Sequence, residues 1–323
     1  MSNIDALLIT PPSRLEVYQG LANDYAAIEP PVWSSLIANF LIKKGFTAEI
    51  LDAEAENLTH EKTAEMIAQK NPKLAIFMVY GQQPSASTQC MPGGKKTCLK
   101  LNEITSNEIK SIVIGTHASA LPKKTLEEEP YTYVCQGEGP LTVIELINFL
   151  KGKTKDLKKI PGLWYLDKDK KVCSNPSAKM FEDLDQNLPG QAWKLLDMKK
   201  YKAHNWHTFG KLDTIKSYAS LQTSLGCPFK CTFCCINAPF ERNTIRFWSP
   251  KHIIEQIKIL VEDYKITNIK IPDEMFVLNP KQVTGICDEI INSGYGKVLN
   301  FWAYARIDTL NDDEMLKKML KAG

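Results

Sequence analysis

Residues 221–237 read LQTSLGCPFKCTFCCIN. Cys227, Cys231 and Cys234 have the spacing C-x-x-x-C-x-x-C and follow an apolar stretch, Tyr218–Leu225, that reads as a strand ending at Gly226. A loop at a strand end can turn three thiolates toward one point, and thiolate is a soft ligand suited to iron–sulfur chemistry. A structural zinc site normally closes with four ligands, often as two CxxC knuckles. No second CxxC is present, and Cys235, adjacent to Cys234, does not easily share a centre with it. The spacing predicts a three-thiolate site with one position left for a ligand. On spacing alone, iron–sulfur, zinc and neither all stay open.

Downstream, a βα series continues. Lys251–Tyr264 reads as a helix, Ile266–Ile271 as a strand ending in Pro272-Asp273-Glu274, and Pro280–Ile291 as a helix. Val298–Ala305 reads as a strand ending at Arg306, and Asp312–Lys321 as a helix. Upstream, residues 1–150 alternate in the same way. Expected strands are Asp5–Thr10, Ala48–Ala53, Lys73–Tyr80, Ser111–Gly115 and Tyr131–Gln136. Expected helices are Trp33–Lys44, about 59–70, about 95–108 and Leu141–Leu150. Five apolar strands alternating with helices predict an α/β fold, a doubly wound parallel five-stranded sheet covered on both faces. Ligands of such sheets sit beyond the carboxyl ends of the strands. That makes Gly115, His117, Ser119, Gly137, Glu138 and Gly139 candidate cofactor-binding residues. Between the halves, KGKTKDLKK (151–159) is polar. Gly162–Leu166 and Lys171–Cys173 flank DKDK as a small hairpin, and 182–215 has no clear period. The expected domains are 1–150, a linker with hairpin over 151–215, and 216–323.

The chain has 323 residues, 44% of them hydrophobic and 24% charged, which fits a globular protein rather than a disordered or fibrous one. The formal charge of +3 is too near balance to argue for nucleic acid or an anionic membrane surface. The longest apolar run, Leu74–Tyr80, is far short of the roughly 20 residues a membrane helix needs. The start, MSNIDALLIT, has neither a basic region nor a small-residue cleavage site, so a cytosolic protein without a membrane partner is expected. The cysteines outside the cluster, Cys90, Cys98, Cys135, Cys173 and Cys287, read as small core hydrophobes.

The cysteine motif, with Phe233 just before its third cysteine, resembles that of the radical S-adenosylmethionine (SAM) enzymes. The following NTIRFWSPKHIIEQIKILVEDY resembles the segment after the cluster loop in their cobalamin-binding subgroup. VIGTHASALP and VCQGEGPLT resemble pieces of that subgroup's cobalamin domain. The resemblance implies a cobalamin-binding domain followed by a partial (β/α)6 barrel. It implies a 4Fe–4S cluster on Cys227, Cys231 and Cys234, whose fourth iron binds SAM. Reductive cleavage of SAM to a 5′-deoxyadenosyl radical would follow, used for methyl transfer or for oxidative ring formation like that of anaerobic protoporphyrin ester cyclases. It places Phe233 near the adenine, has Asp273 and Glu274 accept the SAM ammonium, and turns Arg306 toward SAM or substrate. It also implies a small-molecule or biosynthetic-intermediate substrate and an electron donor such as flavodoxin or ferredoxin.

Two departures matter. The D-x-H-x-x-G motif by which many cobalamin proteins ligate cobalt is absent: Gly115 and Ala120 stand around His117 where Asp and Gly would be needed. Bound cobalamin is therefore expected to lack a histidine ligand from this motif. The family barrel has six βα units, whereas three are counted here. The chain accordingly reads as the front part of a longer enzyme, with an exposed edge at Val298–Ala305 and self-association expected. Plainer readings stand beside these. Asp273-Glu274 can cap a turn, Arg306 can pair with Asp308 at the surface, and His117 can be a hydrogen-bonded loop residue. His204 and His207 can pack at the surface rather than line a cavity. A non-catalytic cobalamin module with a remnant cluster loop, and a structural zinc protein, are the competing functions.

Overall fold

The computed structural model describes residues 4–22, 26–81, 84–203 and 218–323. His204 and His207 lie outside these residues.

The elements of the first half are β1 (Ala6–Thr10), α1 (Arg14–Tyr18), α2 (Val32–Lys43), β2 (Ala48–Asp52), α3 (His60–Lys70), β3 (Leu74–Met78), α4 (Met91–Thr105), β4 (Ser111–Ile114), α5 (Thr116–Ala120), α6 (Pro122–Glu128), β5 (Tyr133–Cys135), α7 (Pro140–Leu150), β6 (Leu163–Leu166) and β7 (Val172–Ser174). The sheet order is β2-β1-β3-β4-β5-β6-β7. The first five strands are parallel, with Leu8 opposite Ile50 on one side and Ile76 on the other. The five-stranded parallel sheet is present, and two antiparallel strands extend it. The hairpin assigned to the linker pairs with β5, Val134 opposite Trp164. Trp164 and Tyr165 supply the aromatic surface that makes such an addition favourable.

Leu7, Ile9, Phe77, Val113 and Val134 form one core with Ala64 and Ile67 of α3 and Met91, Cys98 and Leu101 of α4. Burying each large side chain there stabilises the fold by about 1.5–3 kcal/mol. The fourth helix starts earlier than its apolar period suggests because Gly93 and Gly94 let it pack closely. A Cβ on Gly93 would collide with the Pro12 carbonyl oxygen, and one on Gly94 with the Tyr131 hydroxyl. The strand order reverses between β1 and β3, so the crevice at their carboxyl ends is the natural ligand position of this sheet.

The second half contains α8 (Leu184–Asn187), β8 (Tyr218–Ser220), β9 (Ser224–Gly226), β10 (Ile245–Phe247), α9 (Pro250–Glu262), β11 (Asn268–Ile271), α10 (Pro280–Ser293), β12 (Asn300–Ala303) and α11 (Asp313–Ala322). A parallel sheet runs β12-β11-β8, and β9 pairs with β10 in an antiparallel ribbon. The single strand expected over Tyr218–Leu225 is therefore two. They are separated where Thr223 turns its backbone N–H to Asp273 rather than to a neighbouring strand. Asp312 caps α11 by accepting from Met315 N at 3.0 Å. Along α11, Met315 is buried and Leu320 is 84% exposed. At the β12 edge, Phe301 N donates to the Gly323 carbonyl at 3.0 Å.

The chain divides into two compact units, residues 1–24, 33–180 and 230–243 in the first, and 25–32, 181–229 and 244–323 in the second. A short segment from the first half thus belongs to the second unit, joined by a bridge between Ile28 and Lys202. Among the described residues no helix is long and apolar enough to cross a membrane.

Candidate functional site

At the switch point of the large sheet, Thr10 ends β1 and Tyr80 follows β3. The Thr10 Oγ1 and the Tyr80 hydroxyl are both buried with no hydrogen-bonding partner among the described residues. Tyr80 stacks on Trp33 at 5.4 Å between ring centroids and 8° between planes. Burial pushes its hydroxyl well above the usual tyrosine range, so it stays protonated and is a donor. Orphaned buried hydroxyls carry a desolvation cost, and two at adjacent strand ends suit a ligand rich in amide acceptors.

The candidate residues after β4 and β5 are brought together, but partly for packing. Gly115 approaches so closely that a Cβ would collide with the Val79 carbonyl oxygen. The Ser119 hydroxyl accepts from Gly137 N at 3.2 Å, tying the two strand ends. Gly137 has φ +128° and meets only the Pro239 carbonyl oxygen, at 3.9 Å from a Cβ placed there. Gly139 has φ +104° and sits against Ile114 and Ile37. Glu138 is buried. The His117 Nδ1 lies 2.9 Å from the Thr88 hydroxyl, and burial, with the Lys124 charge, lowers its pKa. The plainer reading of His117, a hydrogen-bonded loop residue, describes this contact.

None of the nine cysteines is in a disulfide. Cys98, Cys135 and Cys287 are buried; burial pushes the first two up to about 12 and the third up to about 11, which leaves them inert. The motif thiols differ. Cys227 is buried just beyond β9, whereas Cys231 and Cys234 are exposed on an irregular stretch with Phe233, itself 92% exposed. Cys227 belongs to the second unit and Cys231 and Cys234 to the first. Among the described residues no three His, Cys, Asp or Glu side chains are gathered as a set that holds a metal ion. The donor chemistry, three thiols outside any disulfide, fits an iron–sulfur cluster.

Asp273 and Glu274 have unlike surroundings. Asp273 is 1% exposed. It accepts from Thr223 N at 2.8 Å, Thr223 Oγ1 at 2.6 Å and Ser224 Oγ at 2.5 Å. Burial still pushes its carboxyl up to about 6 against those hydrogen bonds. Its bonding capacity is used inside the protein. Glu274 has a buried Oε1 with no partner. Burial, and next the Asp273 charge, push it up to about 8, with Lys270 opposing in part. A cation beside this buried carboxyl would favour its ionised form and offset the burial that raises it. Arg306 makes a paired contact with Asp308, at 3.0 Å and 2.7 Å, and its guanidinium lies 4.1 Å from the ring centroid of Phe229, two residues after Cys227. Arg306 thus has the Asp308 partner of the plainer reading and a stacking contact besides.

The sequence reading missed a cluster on one face of the small sheet. Ser220, Lys270 and Trp302 are in register across β8, β11 and β12, so they share a face. Lys270 is buried, and its Nζ lies 2.6 Å from Glu29 Oε1. The available signal was a lysine inside the apolar strand NIKI; Glu29 carried none.

Residues 18–147 match the family model described as the B12 binding domain. The chain is 28% identical over its full length to an uncharacterized methyltransferase of Pyrococcus horikoshii, of which it spans 64%. It is 25% identical over 95% of its length to an anaerobic magnesium-protoporphyrin IX monomethyl ester cyclase of Cereibacter sphaeroides, of which it spans 47%. In fold it is similar to a radical SAM methyltransferase of Kitasatospora setae solved with tryptophan and a SAM analogue. There the TM-score is 0.72 and the identity 18%, covering 100% of this chain and 58% of that one. A cobalamin-dependent radical SAM enzyme solved with aqua-cobalamin and SAM follows, with TM-score 0.67 and 17% identity over 99% of this chain and 41% of that one.

Proposed function

We propose that this chain, a homologue of the cobalamin-dependent radical SAM enzymes, carries cobalamin on its large sheet and SAM with a 4Fe–4S cluster at the Cys227 loop. The protein would use them for methyl transfer to, or oxidative cyclisation of, a small-molecule substrate, with reducing equivalents from a flavodoxin or ferredoxin. The observation that carries the reading is the tie between Asp273 and Thr223–Ser224. It joins the end of β11 to the segment leading into Cys227, so the first motif cysteine and the Glu274 carboxyl issue from linked strand ends.

When bound, the cluster supplies one electron for SAM cleavage and cobalamin supplies a methyl carrier or redox centre. Cys227, Cys231 and Cys234 would hold three irons and leave the fourth for SAM. Glu274 would accept the SAM ammonium, and Asp273 would hold the loop base rather than touch the ligand. Phe233 would cover the adenine. The Thr10 and Tyr80 hydroxyls would meet cobalamin at the switch point, beside Gly115, Ser119, Gly137, Glu138 and Gly139. His117, already bonded to Thr88, would not ligate cobalt.

A second reading, a cobalamin-binding module with a remnant cluster loop, draws on the match of residues 18–147 to the B12 binding domain. The test is anaerobic reconstitution with iron and sulfide, then SAM and dithionite. About four irons per chain and release of 5′-deoxyadenosine support the first reading. Iron-free protein that still binds hydroxocobalamin supports the second, and stoichiometric zinc overturns the cluster assignment.

A further inference from the structure

The two later cysteines of the motif are carried by a run of backbone turns. Cys234 N donates to the Cys231 carbonyl at 3.1 Å, and Ala238 N to that of Cys235 at 2.9 Å. Phe240 N and Glu241 N donate to the Asn237 carbonyl at 2.9 Å and 3.0 Å. The turns abut or overlap, which leaves little slack between Cys231 and Glu241.

The far end of this run is fastened. Residues 230–243 belong to the first compact unit, and the contacts that hold them lie inside that unit. Phe240 is buried, with its ring centroid 6.3 Å from that of Trp33, which itself stacks on Tyr80. The Glu241 Oε1 accepts from Gln136 Nε2 at 2.8 Å and from Ser177 Oγ at 2.6 Å. The Gln136 amide is fixed in this sense, because its Oε1 accepts from Trp164 Nε1 at 2.7 Å and leaves the NH2 group for Glu241. Trp164 lies on β6, and Ser177 follows β7 by three residues. The hairpin that extends the large sheet thus orients one donor to Glu241 and leads into the other. Glu241 also has φ +53°, a left-handed conformation that favours glycine or asparagine. A glutamate held there by two donors is a built contact.

We propose that Phe240 and Glu241 are positioning residues for the cluster thiols: anchored on Trp33, Gln136 and Ser177, they hold the run of turns that carries Cys231 and Cys234. This rests on the reading of those two cysteines as cluster ligands. Phe240 and Glu241 ligate nothing themselves and act through the turns.

The experiment uses the full chain as wild type, Glu241→Ala, Glu241→Gln and Phe240→Ala. Hydrogen exchange at the Cys234 amide is followed by NMR in the iron-free chain. Iron release to a chelator is followed in the anaerobically reconstituted chain, and urea unfolding reads global stability. Glu241→Ala is expected to speed both Cys234 exchange and iron release about fivefold, the scale of two hydrogen bonds to an exposed carboxylate. The urea midpoint should not move, because the contact is local. Phe240→Ala, which removes a buried ring, should speed both about tenfold. Glu241→Gln keeps an acceptor oxygen in the same place and should return both rates to within about twofold of wild type. The proposal is overturned if Cys234 exchange is unmoved in Glu241→Ala, if Glu241→Gln is no better than Glu241→Ala, or if iron release quickens in Glu241→Ala only together with a lower urea midpoint. Should wild type assemble no cluster, the functional reading fails, and Cys234 exchange still decides whether Phe240 and Glu241 hold the turns.

Discussion

Asp273 grips Thr223 twice, one carboxylate oxygen accepting the backbone N–H at 2.8 Å and the other the side-chain hydroxyl at 2.6 Å. The two residues are 50 positions apart, and the grip sets where the chain leaves β8 and enters the ribbon that leads to Cys227. It also separates two adjacent acids into different tasks. Asp273 is buried and commits both oxygens to Thr223 and Ser224, whereas Glu274 has a buried oxygen with no hydrogen-bonding partner among the described residues.

With the cluster held as proposed by three thiolates, replacing Cys227, Cys231 or Cys234 singly by Ala should abolish it. Cys235→Ala should retain it. Iron and sulfide content after anaerobic reconstitution, with the broad visible absorbance of a 4Fe–4S centre, is the measurement. Loss of iron in Cys235→Ala would contradict the assignment.

Glu274 gives a pH signature with a definite sign. Its carboxyl is raised from 4.5 to about 8 in the fold. The folded chain therefore binds a proton that the unfolded chain releases, and stability from this group is lost as pH rises from 4.5 to 8. Glu274→Gln removes the ionisable group, so the variant should melt higher than wild type at pH 8 and the two should converge near pH 4.5. Thermal unfolding across that range reads the difference. A variant less stable at every pH would show that the carboxylate is satisfied in a way the geometry does not provide.

His117→Ala should leave the visible spectrum of bound hydroxocobalamin unchanged, since the ring is hydrogen-bonded to Thr88 and follows β4 rather than the switch point. A histidine-ligated cobalt spectrum that disappears in the variant would reverse this expectation.

Gly93→Ala tests the packing that shapes the switch point. Alanine inside a helix gains about 1 kcal/mol over glycine from propensity alone. The added methyl, however, runs into the Pro12 carbonyl oxygen and the Ser13 hydroxyl. Backbone does not move aside as a flexible side chain does, so overpacking of about 1–3 kcal/mol should win. Urea unfolding should show a lower midpoint, and weaker hydroxocobalamin binding should accompany it if the loop after β1 shifts.

Much of the architecture was legible because it rests on local pattern. The five apolar strands and the amphipathic stripes of α9 and α10 announce themselves by period, and the hairpin around DKDK by its turn residues. The hairpin's destination was not legible, because pairing with β5 is a long-range choice between edges that equally suit an aromatic strand. The break at Thr223 was hidden as well: the competing acceptor, Asp273, comes from 50 residues away. Of the candidate site residues, the three cysteines stood out by spacing. Arg306 and His117 stood out only by type, and their contacts turned out to be Asp308 with Phe229, and Thr88.

The sequence by itself determined which elements form, that a parallel sheet precedes a second βα series, and that three soft ligands follow a strand, since these depend on neighbours within a few positions. Only the tertiary structure decided that adjacent Asp273 and Glu274 differ in their hydrogen bonding and that Glu29 pairs with Lys270 in the second unit. It alone decided that Lys270 is buried beside two aromatic rings. Burial and electrostatic pairing are properties of the space around a side chain. That space is assembled from segments as far apart as residues 29 and 270.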